Sequence, residues 1–177
     1  WVAFRDLNGM ASLKEVTHAL SHFAQEVLAL SIAYIREDLQ QRFGLPWSSV
    51  TDQEMPLMVV GMGKLGGLEL NLSSDIDLIF LYEHEGETQG TPKSLSYHEW
   101  FTRMGKRLIR LLAEHDANGF VFRVDMRLRP NGDSGPLVCS LDMLEEYLLV
   151  QGREWERYAW IKGRLIAPLP SSPAYAH

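Results

Sequence analysis

The sequence is 177 residues long, 46% hydrophobic and 23% charged, with a net charge of −6. That is ordinary for a globular protein and enough for one domain with a real core, or one domain plus a helical extension. The acidic balance argues against a general nucleic-acid binder, whose footprint is basic, and no apolar run is long enough to span a bilayer.

The chain opens on Trp1, with no initiator methionine and no signal peptide, which suggests a piece of a longer protein. Ser12-Leu13-Lys14-Glu15 is a capping box. A long helix is predicted after it, with Leu13, Val16, Leu20, Phe23, Val27, Leu30 or Ile32, Tyr34 or Ile35, and Leu39 at helical spacing. Gly44 and Pro46 end it. His18 and His22 lie four apart on this helix, but no third ligand or catalytic carboxylate accompanies them, so a zinc site is not expected. These residues make a helical segment over 1–46, ahead of a main domain over 47–167.

Residues 47–56 read as a polar linker, and Leu57 to Val60 as a buried β-branched strand. The strand feeds a glycine-rich turn containing Gly61, Gly63, Lys64, Gly66 and Gly67. Glycines let backbone amides approach an anion, and a helix starting at Lys64 and running to Leu70 would add free N–H groups. Glycines alone read first as a tight strand-to-helix turn with no ligand, and the spacing is not that of a Walker A loop.

Asp75 to Tyr82 is the next strand. Asp75 and Asp77, two apart, project from one face at its head, directly after Ser73 and Ser74. Two adjacent carboxylates repel, and a divalent cation such as Mg²⁺ would relieve that. The plain alternative is a pair of solvent-facing aspartates at a strand end.

Residues 83–94 read as a mobile acidic loop. A second capping box at Ser96 and Glu99 opens a helix with Trp100, Phe101, Met104, Leu108, Leu111 and Leu112 on one face. Arg103, Lys106, Arg107 and Arg110 form a basic stripe opposite, a solvated surface or a docking face for an acidic partner. An Asn-Gly turn at 118–119 precedes a strand over 120–129. There Phe120, Phe122, Val124, Met126 and Leu128 alternate with Val121, Arg123, Asp125, Arg127 and Arg129. Asp125 among three arginines is either an ion-pair ladder or the third carboxylate of a metal site whose arginines face phosphate. A glycine-rich loop over 131–136 leads to a strand over 137–139, where the single cysteine, Cys139, is a small apolar residue. One cysteine excludes a disulfide framework and fits a reducing, cytoplasmic setting. Helices follow over 140–150 and 153–164, then a Pro/Ser/Ala-rich tail over 168–177, expected to be disordered.

Gly63-Lys64, then Asp75-Ile76-Asp77, then a later strand bearing Asp125, resembles the polymerase-β-type nucleotidyltransferase superfamily, with lysine where that superfamily usually has serine. The stretch GMGKLGGLELNLSSDIDLIF, with FVFRVDMRLRPNGDSGPLV and QGREWERYAWIKGR in the same order, resembles the glutamine synthetase adenylyltransferase family. The likeness runs from Leu57 to Ala167. It implies an α+β fold with a mixed sheet flanked by helices. It also implies two Mg²⁺ or Mn²⁺ ions held by Asp75, Asp77 and Asp125. Phosphate or nucleotide would be bound by Gly63, Lys64, Gly66, Gly67, Ser74, Arg127 and Arg129. Enzymes of that family carry two such domains, one removing AMP from a tyrosine of glutamine synthetase by phosphorolysis and one adding it from ATP. Met62, Asn71 and RVDMRLRP followed by DSGPLV resemble the removing half. The resemblance further implies inorganic phosphate and ADP or ATP as small-molecule partners, and control through glutamine and a PII-type signal protein. The adding half, a small-molecule nucleotidyltransferase and a non-catalytic nucleotide- or partner-binding module remain alternatives.

Overall fold

The computed structural model describes residues 1–89, 93–117 and 119–168; the expected disordered tail lies outside them, except for Pro168. A short helix α1 (Val2–Leu7) is followed by the long helix α2 (Leu13–Phe43). Its ends are where local chemistry puts them. Ser12 accepts the Glu15 N–H at 3.3 Å, Glu15 reaches back to the Ser12 N–H at 2.7 Å, and Gly44 caps the far end at φ 72°.

The buried face of α2 is not the one that the large apolar residues suggest. Val16, Thr17, Ser21, Ala24, Leu28, Ala29, Ile32, Ile35 and Leu39 are buried, whereas Leu13, Phe23, Leu30 and Tyr34 are exposed. Small residues occupy the centre because the chain comes close there. The Ser21 hydroxyl donates to the Thr17 carbonyl at 2.7 Å and accepts the buried Leu70 N–H at 3.2 Å. Ser21→Ala should therefore cost about 1–3 kcal/mol in denaturant unfolding, because the Leu70 amide loses its acceptor inside the core.

The expected linker folds into a hairpin, β1 (Trp47–Ser48) against β2 (Gln53–Glu54), held to α2 by Arg36 on Glu54. Next come β3 (Met58–Gly61), a one-turn helix α3 (Gly63–Gly66), and β4 (Ile76–Tyr82). The acidic loop after β4 is partly structured: Glu87 bridges Ser96, and Thr88 is buried with its N–H on the Leu95 carbonyl. Residues 90–92 lie outside the described residues. Helix α4 (Tyr97–Ala113) is capped by Ser96, which accepts the Glu99 N–H. Asn118 of the predicted turn is also outside the described residues, but Asp116 and Gly119 exchange backbone hydrogen bonds across it.

The predicted strand over 120–129 shrinks to β5 (Val124–Asp125). The cause is local: an Asp125 oxygen accepts the Arg127 N–H at 2.8 Å, an Asx turn that competes with ladder pairing. After a 3-10 turn over Gly132–Ser134 come β6 (Val138–Ser140), α5 (Leu141–Val150), α6 (Glu154–Ala159) and a 3-10 turn over Trp160–Lys162. The helix expected to reach Arg164 stops early, and β7 (Arg164–Ala167) returns to the sheet.

The five-stranded sheet runs β5-β4-β3-β7, with β6 also pairing β4. β3 is antiparallel to β4 and β7; β5 and β6 run parallel to β4, at opposite ends of it. The architecture is α+β with a mixed sheet. Alternation along β4 builds two cores. Ile76, Leu78, Phe80 and Tyr82 face α2 and α4 in the large core. Ile79 and Leu81 face the other way, with Val60, Met62, Cys139 and Leu144, against α5 and the Trp160 turn. Burial pushes the Cys139 thiol up to about 12, so it is inert packing. The basic stripe of α4 largely answers to the chain itself: Arg107 pairs with Asp38 of α2, and Arg103 lies over the Phe43 ring. Among the described residues no helix is long and apolar enough to cross a membrane.

Candidate functional site

Asp77 belongs to the face of β4 that carries Ile79 and Leu81. The second helical layer covers those two but not the head of the strand, so the half-buried Asp77 looks out beside that layer. Parallel pairing of β4 with β5 matches Ile76 with Val124 and Asp77 with Asp125. Paired positions on neighbouring strands share a face, so Asp125 stands beside Asp77. Asp75 stands just ahead of the strand's entry, where the Ile76 N–H bonds the Arg123 carbonyl at 2.9 Å. Asp77 and Asp125, from two separated stretches, therefore stand side by side at one strand end, with Asp75 just ahead of it.

Their charges show it. Burial first, then Asp125 and Asp75, push the Asp77 carboxyl above the usual aspartate range, against a smaller pull from Arg127 and Lys64. Asp125 is held below the usual range, chiefly by its hydrogen bonds from Arg127. The Arg127 guanidinium grips it as a fork, with Nε 2.8 Å from Oδ2 and 3.1 Å from Oδ1. Arg123 donates from Nε to one Asp75 oxygen and from its other arm to the Ser73 carbonyl. Asp77 has no such partner among the described residues.

The flanking turn is more structural than its glycines suggest. The expected helix to Leu70 is a single turn, and the Gly66 and Gly67 amides are used inside it, donating to the Met62 and Gly63 carbonyls at 3.1 Å each. Gly63 is different. It takes φ 52°, and a Cβ there would stand 2.9 Å from an Asp77 oxygen, so glycine keeps the turn clear of that carboxylate. Lys64 is exposed and donates from Nζ to the Ser74 hydroxyl at 3.1 Å, linking the turn to the residue before the aspartates. Arg129 turns inward: its side chain is 12% exposed, one nitrogen bonds the Met126 carbonyl at 2.8 Å, and it pairs with Asp133.

A support not read from the sequence comes from β7. Arg164 donates to the Leu65 and Gly66 carbonyls at 3.3 and 3.1 Å and to Gln25 of α2 at 3.0 Å. It thus caps the end of α3 and ties the turn to the long helix. Lys162 adds an ion pair to Glu69. The only hint in the sequence was the K-G-R ending of the third matching stretch.

As placed, no three His, Cys, Asp or Glu side chains among the described residues stand close enough together to hold a metal ion. This includes His18 and His22, whose rings meet edge to face. The donor set at the strand end is nevertheless three hard carboxylates, with like charge crowding Asp77, and that chemistry fits Mg²⁺ or Mn²⁺. Two of the three carboxylates are directed at arginines.

Residues 1–175 match the family described as glutamate-ammonia ligase adenylyltransferase. The chain is 60% identical over 172 residues to the bifunctional glutamine synthetase adenylyltransferase/adenylyl-removing enzyme of Ralstonia nicotianae, covering 97% of this chain and 18% of that protein. The protein of the same name from Burkholderia mallei is 58% identical over 98% of this chain and 19% of its own length. That from Nitrosococcus oceani is 52% identical over 94% and 17%. The chain thus spans under a fifth of the length of these relatives.

Proposed function

Since the chain belongs to the glutamate-ammonia ligase adenylyltransferase family, we propose that it is the adenylyl-removing nucleotidyltransferase unit of such an enzyme, with a polymerase-β-type fold. Its substrate would be glutamine synthetase carrying AMP on a tyrosine. The reaction is phosphorolysis. An oxygen of inorganic phosphate forms a bond to the α-phosphorus, the bond from that phosphorus to the tyrosine oxygen breaks, ADP leaves, and the phenolate takes up a proton. Control by a PII-type signal protein and a cytoplasmic setting belong to the same reading; the reverse of this phosphorolysis would consume ADP and release phosphate, and ATP would serve the separate adding reaction, which releases pyrophosphate.

The observation that carries it is the pairing of Asp77 with Asp125 across β4 and β5, with Asp75 just ahead of the strand. Asp75, Asp77 and Asp125 would hold the divalent cations. Bound there, these would supply Lewis-acid stabilisation of charge on the transferring phosphoryl group. Lys64, exposed beside Ser74, would meet the attacking phosphate as a point charge. Gly63 leaves room for that approach. Arg127, which is 75% exposed, can turn its donor fork to a phosphate, whereas Arg129 holds the loop after β5 from within.

The test is direct. Incubation with adenylylated glutamine synthetase, inorganic phosphate and Mg²⁺ should release one ADP for each AMP removed. ATP-dependent AMP incorporation in place of ADP release would assign the adding half. Neither reaction, with AMP passing instead to a small acceptor, would overturn the choice of substrate.

A further inference from the structure

We propose that Arg127 is an exchangeable counter-ion: it occupies the Asp125 carboxylate while no cation is bound, and moves to the substrate's phosphate once a cation takes its place. This rests on the reading of the three aspartates as a cation site. The geometry points to it through an asymmetry. The Asp125 carboxylate is 14% exposed, and the Arg127 side chain that grips it is 75% exposed. The acceptor is fixed, both by its place beside Asp77 and by the Arg127 N–H, a backbone donor that a side-chain movement leaves intact. The guanidinium stands largely in solvent, and its contacts among the described residues are to that carboxylate. A cation held with the help of Asp125 would compete with the fork for that carboxylate.

Arg123 makes a parallel contact to Asp75, but it is also bonded to the Ser73 carbonyl, and its own carbonyl receives the Ile76 N–H. It is built into the strand junction. Arg127 is the member of the pair free to move. Releasing its fork at the moment the cation arrives would deliver five N–H donors to the place where a phosphate binds. Cation and phosphate would then bind cooperatively through one side chain.

Calorimetric titration of the protein with Mg²⁺, without phosphate, tests this on wild type, Arg127→Gln and Arg127→Lys, each first shown to unfold cooperatively. Removing an exposed competing ion pair should tighten Mg²⁺ binding by about threefold to fivefold in Arg127→Gln. Arg127→Lys keeps the charge but dismantles the fork, so it too should bind Mg²⁺ more tightly than wild type. At saturating Mg²⁺ the order reverses, and both variants should bind inorganic phosphate more weakly. Tightening in Arg127→Gln with no change in Arg127→Lys would reduce the effect to bulk charge and overturn the exchange. Weaker Mg²⁺ binding in both would make Arg127 a support for Asp125, and would also overturn it. Wild type binding no Mg²⁺ at all would instead remove the cation-site reading beneath the proposal.

Discussion

Gly66→Ala is expected to cost the fold about 3 kcal/mol or more, enough to lower the unfolding midpoint sharply or abolish folding. A Cβ at Gly66 would stand 1.9 Å from the Lys162 carbonyl oxygen and 2.5 Å from the Gly61 carbonyl oxygen. Both are backbone atoms, so no rotamer change relieves the clash; either the turn leaves the sheet or the Trp160–Lys162 segment leaves the turn. Gly67→Ala is the control. Its nearest obstacle is the Glu69 side chain at 3.3 Å, which can swing away, and its φ of −79° suits any residue. That change should stay within about 0.5 kcal/mol. The pair separates two explanations for neighbouring glycines. If both variants fold with unchanged midpoints, the close approach of β7's leading segment to α3 is wrong, and with it the support that Arg164 gives the turn.

Much of this architecture was legible in the sequence, and what was not has identifiable physical reasons. The ends of α2 could be read because caps are local: Ser12, Glu15 and Gly44 act within a few residues of themselves. Its buried face could not, since Thr17, Ser21 and Ala24 are buried for their smallness against a neighbouring backbone, while Phe23 and Leu30 remain exposed. The hairpin of β1 and β2 carries no alternation, only Trp47-Ser48 against Gln53-Glu54. β7 follows a helical pattern without a break until Gly163. Period-two alternation put Asp125 on the polar face of its stretch and Asp75 and Asp77 on one side at the head of an otherwise apolar strand, but the register that sets Asp77 beside Asp125 is a tertiary pairing that neither stretch shows alone. The brevity of β5 was not, because the Asp125 side chain bonds its own downstream backbone and ends the ladder. The glycine turn misled most. Its residue types suit an anion cradle, yet the amides of Gly66 and Gly67 are satisfied inside one helical turn.

Asp77→Asn should make the cation-free protein more stable at neutral pH; under the proposed function it should also weaken divalent-cation binding at the strand end by at least about a hundredfold and remove the phosphorolysis. The sign follows from the raised carboxyl of Asp77, caused by burial and then by Asp125 and Asp75. Between the unfolded and folded pKa values the native chain binds more protons than the unfolded chain, so stability falls as pH rises through that window, and the loss is complete above the folded pKa. At neutral pH the charge is therefore a burden on the fold. Its removal should raise the unfolding midpoint of the cation-free protein. Thermal unfolding in a chelator, followed from acid to neutral pH, checks this. The variant's advantage should vanish at acid pH, where wild-type Asp77 is protonated. Asp125→Asn should behave in the opposite way. Its carboxyl is lowered chiefly by Arg127, so it contributes stability above its unfolded pKa that is lost as pH falls through its folded pKa. Replacing it should destabilise the protein at neutral pH. An Asp77→Asn variant less stable than wild type at neutral pH would mean that Lys64 and Arg127 already balance that carboxylate. No cation would then be needed to explain why three aspartates crowd one strand end.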